Sequence, residues 1–159
     1  WFELQTGLTD NSWRANAISK AYGKLLVGDS LDGRIGEIDD SVFTEYGDTI
    51  FRQATTKPFS SNGAAIFSGE LEATLEAGVG LTTGQGSDPV IIMDYSDDQG
   101  KTFSNEFKRD IGKIGEYGHE TVWRRQGRFP NSRSIRLTVT DPVKANLIRI
   151  AATPELSNQ

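Results

Sequence analysis

The chain is predicted to be all-β: an antiparallel β-sandwich of about seven strands, preceded by a propeller-blade-like β-hairpin segment. Three observations predict it. Short runs of Val, Ile, Thr, Leu and Phe recur from end to end, bounded by Gly, Asp, Asn and Ser. The 17 glycines are spread throughout, and no segment carries apolar residues at i, i+3, i+4 and i+7 over three helical turns. The stretch Glu70-Leu71-Glu72-Ala73-Thr74-Leu75-Glu76 alternates with period two, as a strand does when one face is buried and the other wet.

Strands are expected at 14–19, 24–29, 34–38, 49–56, 64–78, 89–96, 107–109, 120–126, 134–140 and 145–152. Residues 12–21 come nearest to a helical pattern, yet read equally well as a strand after a turn. Leu25-Leu26-Val27 and Arg34-Ile35-Gly36-Glu37-Ile38 flank Asp32-Gly33, a strong hairpin signal. Residues 1–46 therefore read as a hairpin or partial blade, because a propeller needs at least four blades of four strands each. Residues 47–153 have the length of a sandwich, and 154–159 are expected to form a C-terminal tail. Asp141-Pro142-Val143 is the expected turn between two late strands, since Pro142 fixes φ and offers no N–H to a ladder. The chain opens on Trp1-Phe2-Glu3-Leu4 and not on Met, so it is expected to be a portion of a longer polypeptide.

Composition removes several function classes. With no cysteine, disulfides and thiolate metal sites are excluded. No apolar run reaches the ~20 residues of a spanning helix, and no membrane partner is expected. A net charge of −5 disfavours bare nucleic acid as a general partner of the chain. The charge is uneven, however: residues 28–48 are acidic, whereas 101–149 are rich in Lys and Arg, an asymmetry suited to packing against protein surfaces.

Residues 94–103 carry the Asp-box pattern, Ser-x-Asp-x-Gly-x-Thr-aromatic, in Ser96, Asp98, Gly100, Thr102 and Phe103. Asp98 is placed to accept backbone N–H groups across the turn, Gly100 to supply a positive φ, and Phe103 to pack back on the hairpin base. The pattern specifies a hairpin and says little about chemistry. Asp94, Ser96 and Asp98 also have the alternate spacing of a calcium loop. Gly100 nevertheless stands one place late, and Asn105 occupies the position where a bidentate Glu belongs, so a self-satisfied turn is favoured. His119 is the only histidine, and no Gly-x-Ser-x-Gly elbow surrounds any serine. A glycosidase needs two carboxylates at a set separation, and nothing singles out a pair. No catalytic residue, metal or cofactor is expected.

Trp123, Arg124, Arg125 and Arg128 form the candidate interface. Strict alternation puts Val122 and Arg124 on one face and Trp123 and Arg125 on the other. The segment suits a protein interface better than nucleic acid, although aromatic–basic strands also bind single strands.

Read in order, residues 92–104, Gly112-Lys113-Ile114-Gly115-Glu116-Tyr117, residues 122–129 and residues 136–144 resemble the tail hub proteins of short-tailed bacteriophages, also called packaged-DNA stabilisation proteins. Upstream, Gly33-Arg34-Ile35-Gly36-Glu37-Ile38, Thr44-Glu45-Tyr46-Gly47 and Ile50-Phe51-Arg52 fit the same family. Gln126 stands where Leu is expected, and Phe103 where Trp is commoner. The resemblance implies a virion component, made in the host cytoplasm and added after DNA packaging. It implies a homo-oligomeric ring below the portal and its adaptor ring, helping to retain DNA and to attach the tail needle and tailspikes. On this resemblance the chain is the C-terminal portion of the family protein. The alternative from another class is a carbohydrate-binding or propeller-linked accessory module of a secreted glycoside hydrolase, which the Asp box alone supports.

Overall fold

The computed structural model describes residues 3–7, 11–60, 65–129 and 131–156. The chain divides into two compact units, Trp1–Phe51 and Arg52–Gln159, and all described regular structure is strand.

In the leading unit, β1 (Ala15–Ala21), β2 (Lys24–Asp29) and β3 (Ile35–Ile38) form an antiparallel meander. Tyr22 and Gly23, both left-handed, make the two-residue turn from β1 to β2. Asp32-Gly33 lies in the turn from β2 to β3, closed by Asp29 N donating to Arg34 O at 2.9 Å. The meander is one strand short of a four-stranded blade. A two-stranded ribbon follows, β4 (Thr44–Glu45) with β5 (Asp48–Thr49). The unit is held largely by charge. Among its described residues Val27 is the one buried large apolar side chain, whereas Arg14 and Asp29 are buried as an ion pair. Asp32 pairs with Arg34 at 2.6 Å, and the Tyr46 ring meets the Arg14 and Arg34 guanidiniums at 4.9 and 4.4 Å. Gly36 permits that approach, because a Cβ there would stand 2.5 Å from the Tyr46 hydroxyl.

The second unit is a two-layer sandwich. One sheet runs β10 (Phe107–Asp110), β9 (Val90–Ser96), β12 (Ser132–Val139), β6 (Arg52–Thr55), with the two-residue β7 (Phe59–Ser60) also paired to β12. The other sheet runs β11 (Thr121–Phe129), β8 (Ile66–Leu75), β13 (Leu147–Leu156). Between them lies an apolar core of Leu71, Ile91, Met93, Ile111, Trp123, Leu137 and neighbouring residues. Each such side chain contributes about 1.5–3 kcal/mol on burial.

β8 shows how the alternation works. Leu71 and Ala73 face the core, while the intervening glutamates meet cations from flanking segments. Glu70 pairs with Arg124 at 3.2 Å, Glu72 with Arg149 at 3.2 Å, and Glu76 with Lys144 at 2.9 Å. The outer face of this sheet thus neutralises its own carboxylates.

Two expectations need correction. The strand expected at 49–56 is divided, because its halves have different partners: Thr49 pairs with Thr44, whereas Arg52 pairs with Val139. No single ladder spans it. Residues 154–156, expected in a tail, continue β13 against Ser68, Phe67 and Ile66 of β8. Residue 64 of the expected 64–78 strand and residues 157–159 of the expected tail lie outside the described residues. The Asp141–Val143 turn joins strands of opposite sheets. Arg52 braces it by donating to the carbonyls of Asp141 and Val143, and the Asp141 carboxylate accepts Val90 N–H at 2.8 Å.

Candidate functional site

The Asp-box turn closes the β9–β10 hairpin. Asp98 Oδ1 accepts the N–H groups of Lys101 and Thr102, both at 2.9 Å, and the Ser96 hydroxyl at 2.7 Å. Its Oδ2 accepts the Thr102 hydroxyl at 2.6 Å, and Gly100 N donates to Ser96 Oγ at 2.8 Å. Gly100 sits at φ +88°, a conformation that L side chains rarely adopt. The Thr102 hydroxyl and N–H, followed by Ser96, hold the Asp98 carboxyl far below the usual carboxylate range. The Phe103 ring passes the hairpin base and lies 3.5 Å from the Arg136 guanidinium on β12, which pairs with the buried Asp94. Each donor of the calcium-like spacing is therefore engaged within the protein: Asp94 by Arg136, Asp98 and Ser96 by the turn. Among the described residues no group of three or more His, Cys, Asp or Glu is arranged to hold a metal ion.

The basic strand departs from strict alternation. Trp123, expected at the interface, is 1% exposed, with its indole N–H donating to Phe107 O at 3.0 Å. It is a core residue, and its burial removes it from any surface. Arg125 does not share its face. Arg124 stands opposite Glu70 and Gly127 opposite Ser68, so Arg125 and Gln126 together oppose one residue of β8. This is a β-bulge, with Arg125 at φ +60°. Arg124, Arg125 and Arg128 are all exposed. Arg124 has Glu70, whereas Arg125 and Arg128 have no carboxylate partner among the described residues.

Sequence reasoning missed Arg133, which joins the two features. It is 4% exposed and grips the Asp97 carboxylate with two hydrogen bonds of 2.7 Å. A third nitrogen donates to Gln126 O, inside the bulge, at 2.6 Å. Its guanidinium lies 3.8 Å from the Tyr95 ring centroid and 4.7 Å from that of Phe129. A signal was available: Arg133 has the same parity as Ile135, Leu137 and Val139, so period two turns it inward. The turn and the bulge are thereby held in one geometry.

Beside Arg133 a cavity of about 400 Å³ opens between the sheets, lined mainly by apolar residues including Phe59, Ile66, Phe129 and Ile135. Arg133 is its one charged lining residue, and it is already paired. His119 stands elsewhere, its Nε2 3.1 Å from the carbonyl of Asp110 and 3.3 Å from that residue's carboxylate. It braces the 111–119 loop against β10.

These features define a class first: a structural β-module whose charged groups organise turns, edges and a surface. The chain belongs to the family described as Bacteriophage P22 Gp10, beta-sandwich, whose model matches residues 51–155. No curated protein matches it. The chain is thus a structural protein of the bacteriophage tail, a virion component whose family acts with other tail proteins.

Proposed function

We propose that the chain serves in the tail hub of a short-tailed bacteriophage, joining the portal–adaptor assembly to distal tail parts and helping to retain packaged DNA. The family match across the whole sandwich carries this reading. The module acts by shape and contact and performs no catalysis. The leading unit is read as a partial propeller blade, and the full assembly as a homo-oligomeric ring that also meets the tail needle and tailspikes. The Asp-box residues Ser96, Asp98, Gly100, Thr102 and Phe103 supply the rigid hairpin. Arg124, Arg125 and Arg128 supply the contact surface, with protein favoured over DNA as its partner.

The test is affinity for an assembled portal–adaptor complex, measured by co-sedimentation with the purified chain. Saturable binding that is weakened by Arg125→Glu plus Arg128→Glu is expected. Binding to a glycan array with no affinity for the complex would instead favour a carbohydrate-binding accessory module.

A further inference from the structure

The net charge of the chain resides in one unit. Residues 1–51 hold nine acidic and four basic side chains, a balance of −5, whereas residues 52–159 hold thirteen of each and are neutral. Within the leading unit the buried Asp29 is paired with Arg14 and the exposed Asp32 with Arg34. Asp40 and Asp48 are exposed and have no cationic partner among the described residues. Asp39, next to Asp40 in the chain, accepts the Ser41 hydroxyl and N–H, which leave its charge in place.

The neutral sandwich carries the complementary imbalance at one end. The glutamates of β8 consume Arg124, Arg149 and Lys144. Arg133 consumes Asp97, and the Asp-box turn consumes Asp98. Arg125 and Arg128 on the bulged strand, and Lys101 in the Asp-box turn, remain exposed without a carboxylate. The bulge and the turn that carry these cations are tied together through Arg133. Like charges gathered on one edge repel one another, and an anionic partner relieves that repulsion.

We infer that this edge receives the acidic leading unit of a second copy of the chain. The contact is heterologous, edge to leading unit, so its repetition generates a ring or an open filament and not a two-fold dimer. The inference rests on the homo-oligomeric part of the proposed function and names the surfaces that would form it. Charge complementarity selects the occupant: the leading unit carries the whole net charge of the chain, −5, opposite in sign to the edge.

Sedimentation velocity of the full chain tests it. At low salt the wild type is expected to associate with rising concentration, and to dissociate at ~1 M salt, where the screening length falls to roughly 3 Å. Arg125→Glu plus Arg128→Glu should weaken association at least tenfold, as should Asp40→Lys plus Asp48→Lys. All four side chains are exposed, so each double variant should keep the wild-type thermal transition. Mixing the two variants should restore association, because each then offers the surface that the other lacks. A monomeric wild type, or association indifferent to both variants, would overturn the inference while leaving attachment to a portal–adaptor complex standing. Duplex DNA binding that Arg125→Glu plus Arg128→Glu abolishes, with no self-association, would assign the edge to nucleic acid instead.

Discussion

The sandwich and the leading unit are both antiparallel β-structure, yet they cohere by different forces. The sandwich closes two sheets over Leu71, Ile91, Met93, Trp123 and Leu137, and pairs its outer glutamates with flanking cations. The leading unit has no described second layer over its meander. It leaves Ile18, Leu31 and Ile35 at 58%, 71% and 75% exposed and buries an Arg14–Asp29 pair beside Val27. Apolar area offers a simple salt no charge to screen and acid no group to titrate, whereas partly exposed pairs such as Arg34–Asp32 respond to both. The difference separates a self-sufficient scaffold from a unit whose cohesion depends on its ions. It also separates a neutral body from the part that carries the net charge.

The largest effect should come from the sandwich core. Trp123→Ala removes a fully buried indole and orphans the Phe107 carbonyl it caps, costing about 3–5 kcal/mol, read from denaturant unfolding. Loss of the sandwich transition with the leading unit unchanged would sharpen the contrast; an equal loss in both would break it. Arg133→Ala comes next, at about 2 kcal/mol, because Asp97 loses its partner but remains partly solvated. Its distinctive signature is raised amide exchange in both the 96–103 turn and the 124–127 bulge.

Acid should act on one carboxylate in each unit, Asp32 in the leading unit and Asp98 in the Asp-box turn. The Arg34 hydrogen bond, reinforced by the Arg34 N–H, lowers Asp32 to about 2. A depressed carboxylate stabilises the fold above its unfolded value near 3.8, and that contribution is lost as pH falls through the folded value. Leading-unit signals should therefore weaken between about pH 4 and 2, and the 96–103 turn should loosen as pH falls further, through the lower folded value of Asp98, while the apolar core beneath it persists. A sandwich that melts first would contradict the comparison. The smallest effect is Gly100→Ala, costing about 1 kcal/mol: the site has open space around it, so the penalty is the positive φ alone.

Much of this fold is legible in sequence because period two is a local signal. Glu70-Leu71-Glu72-Ala73 announces β8 and its two faces, and Asp32-Gly33 announces the β2–β3 turn. The Asp-box hydrogen bonds to Asp98 are legible for the same reason, since every donor lies within four residues of it. What escapes is set by distant pairing. The continuous β-formers at 49–56 do not disclose that Thr49 and Arg52 join different sheets. Trp123-Arg124-Arg125 reads as plain alternation, because a bulge depends on the partner strand's count of residues. Arg133 is the instructive miss: its parity placed it inside, but its charge argued for the surface, and only Tyr95, Phe129 and Asp97 together make its burial tolerable.

The central claim is that one unit is held by apolar packing and the other by ion pairs. Residue-resolved native-state hydrogen exchange at low and high salt tests it most directly. Protection of β2 and β3 amides should fall several-fold as salt rises, while β8, β9 and β12 amides keep theirs. Uniform protection across both units, unchanged by salt, would contradict the account.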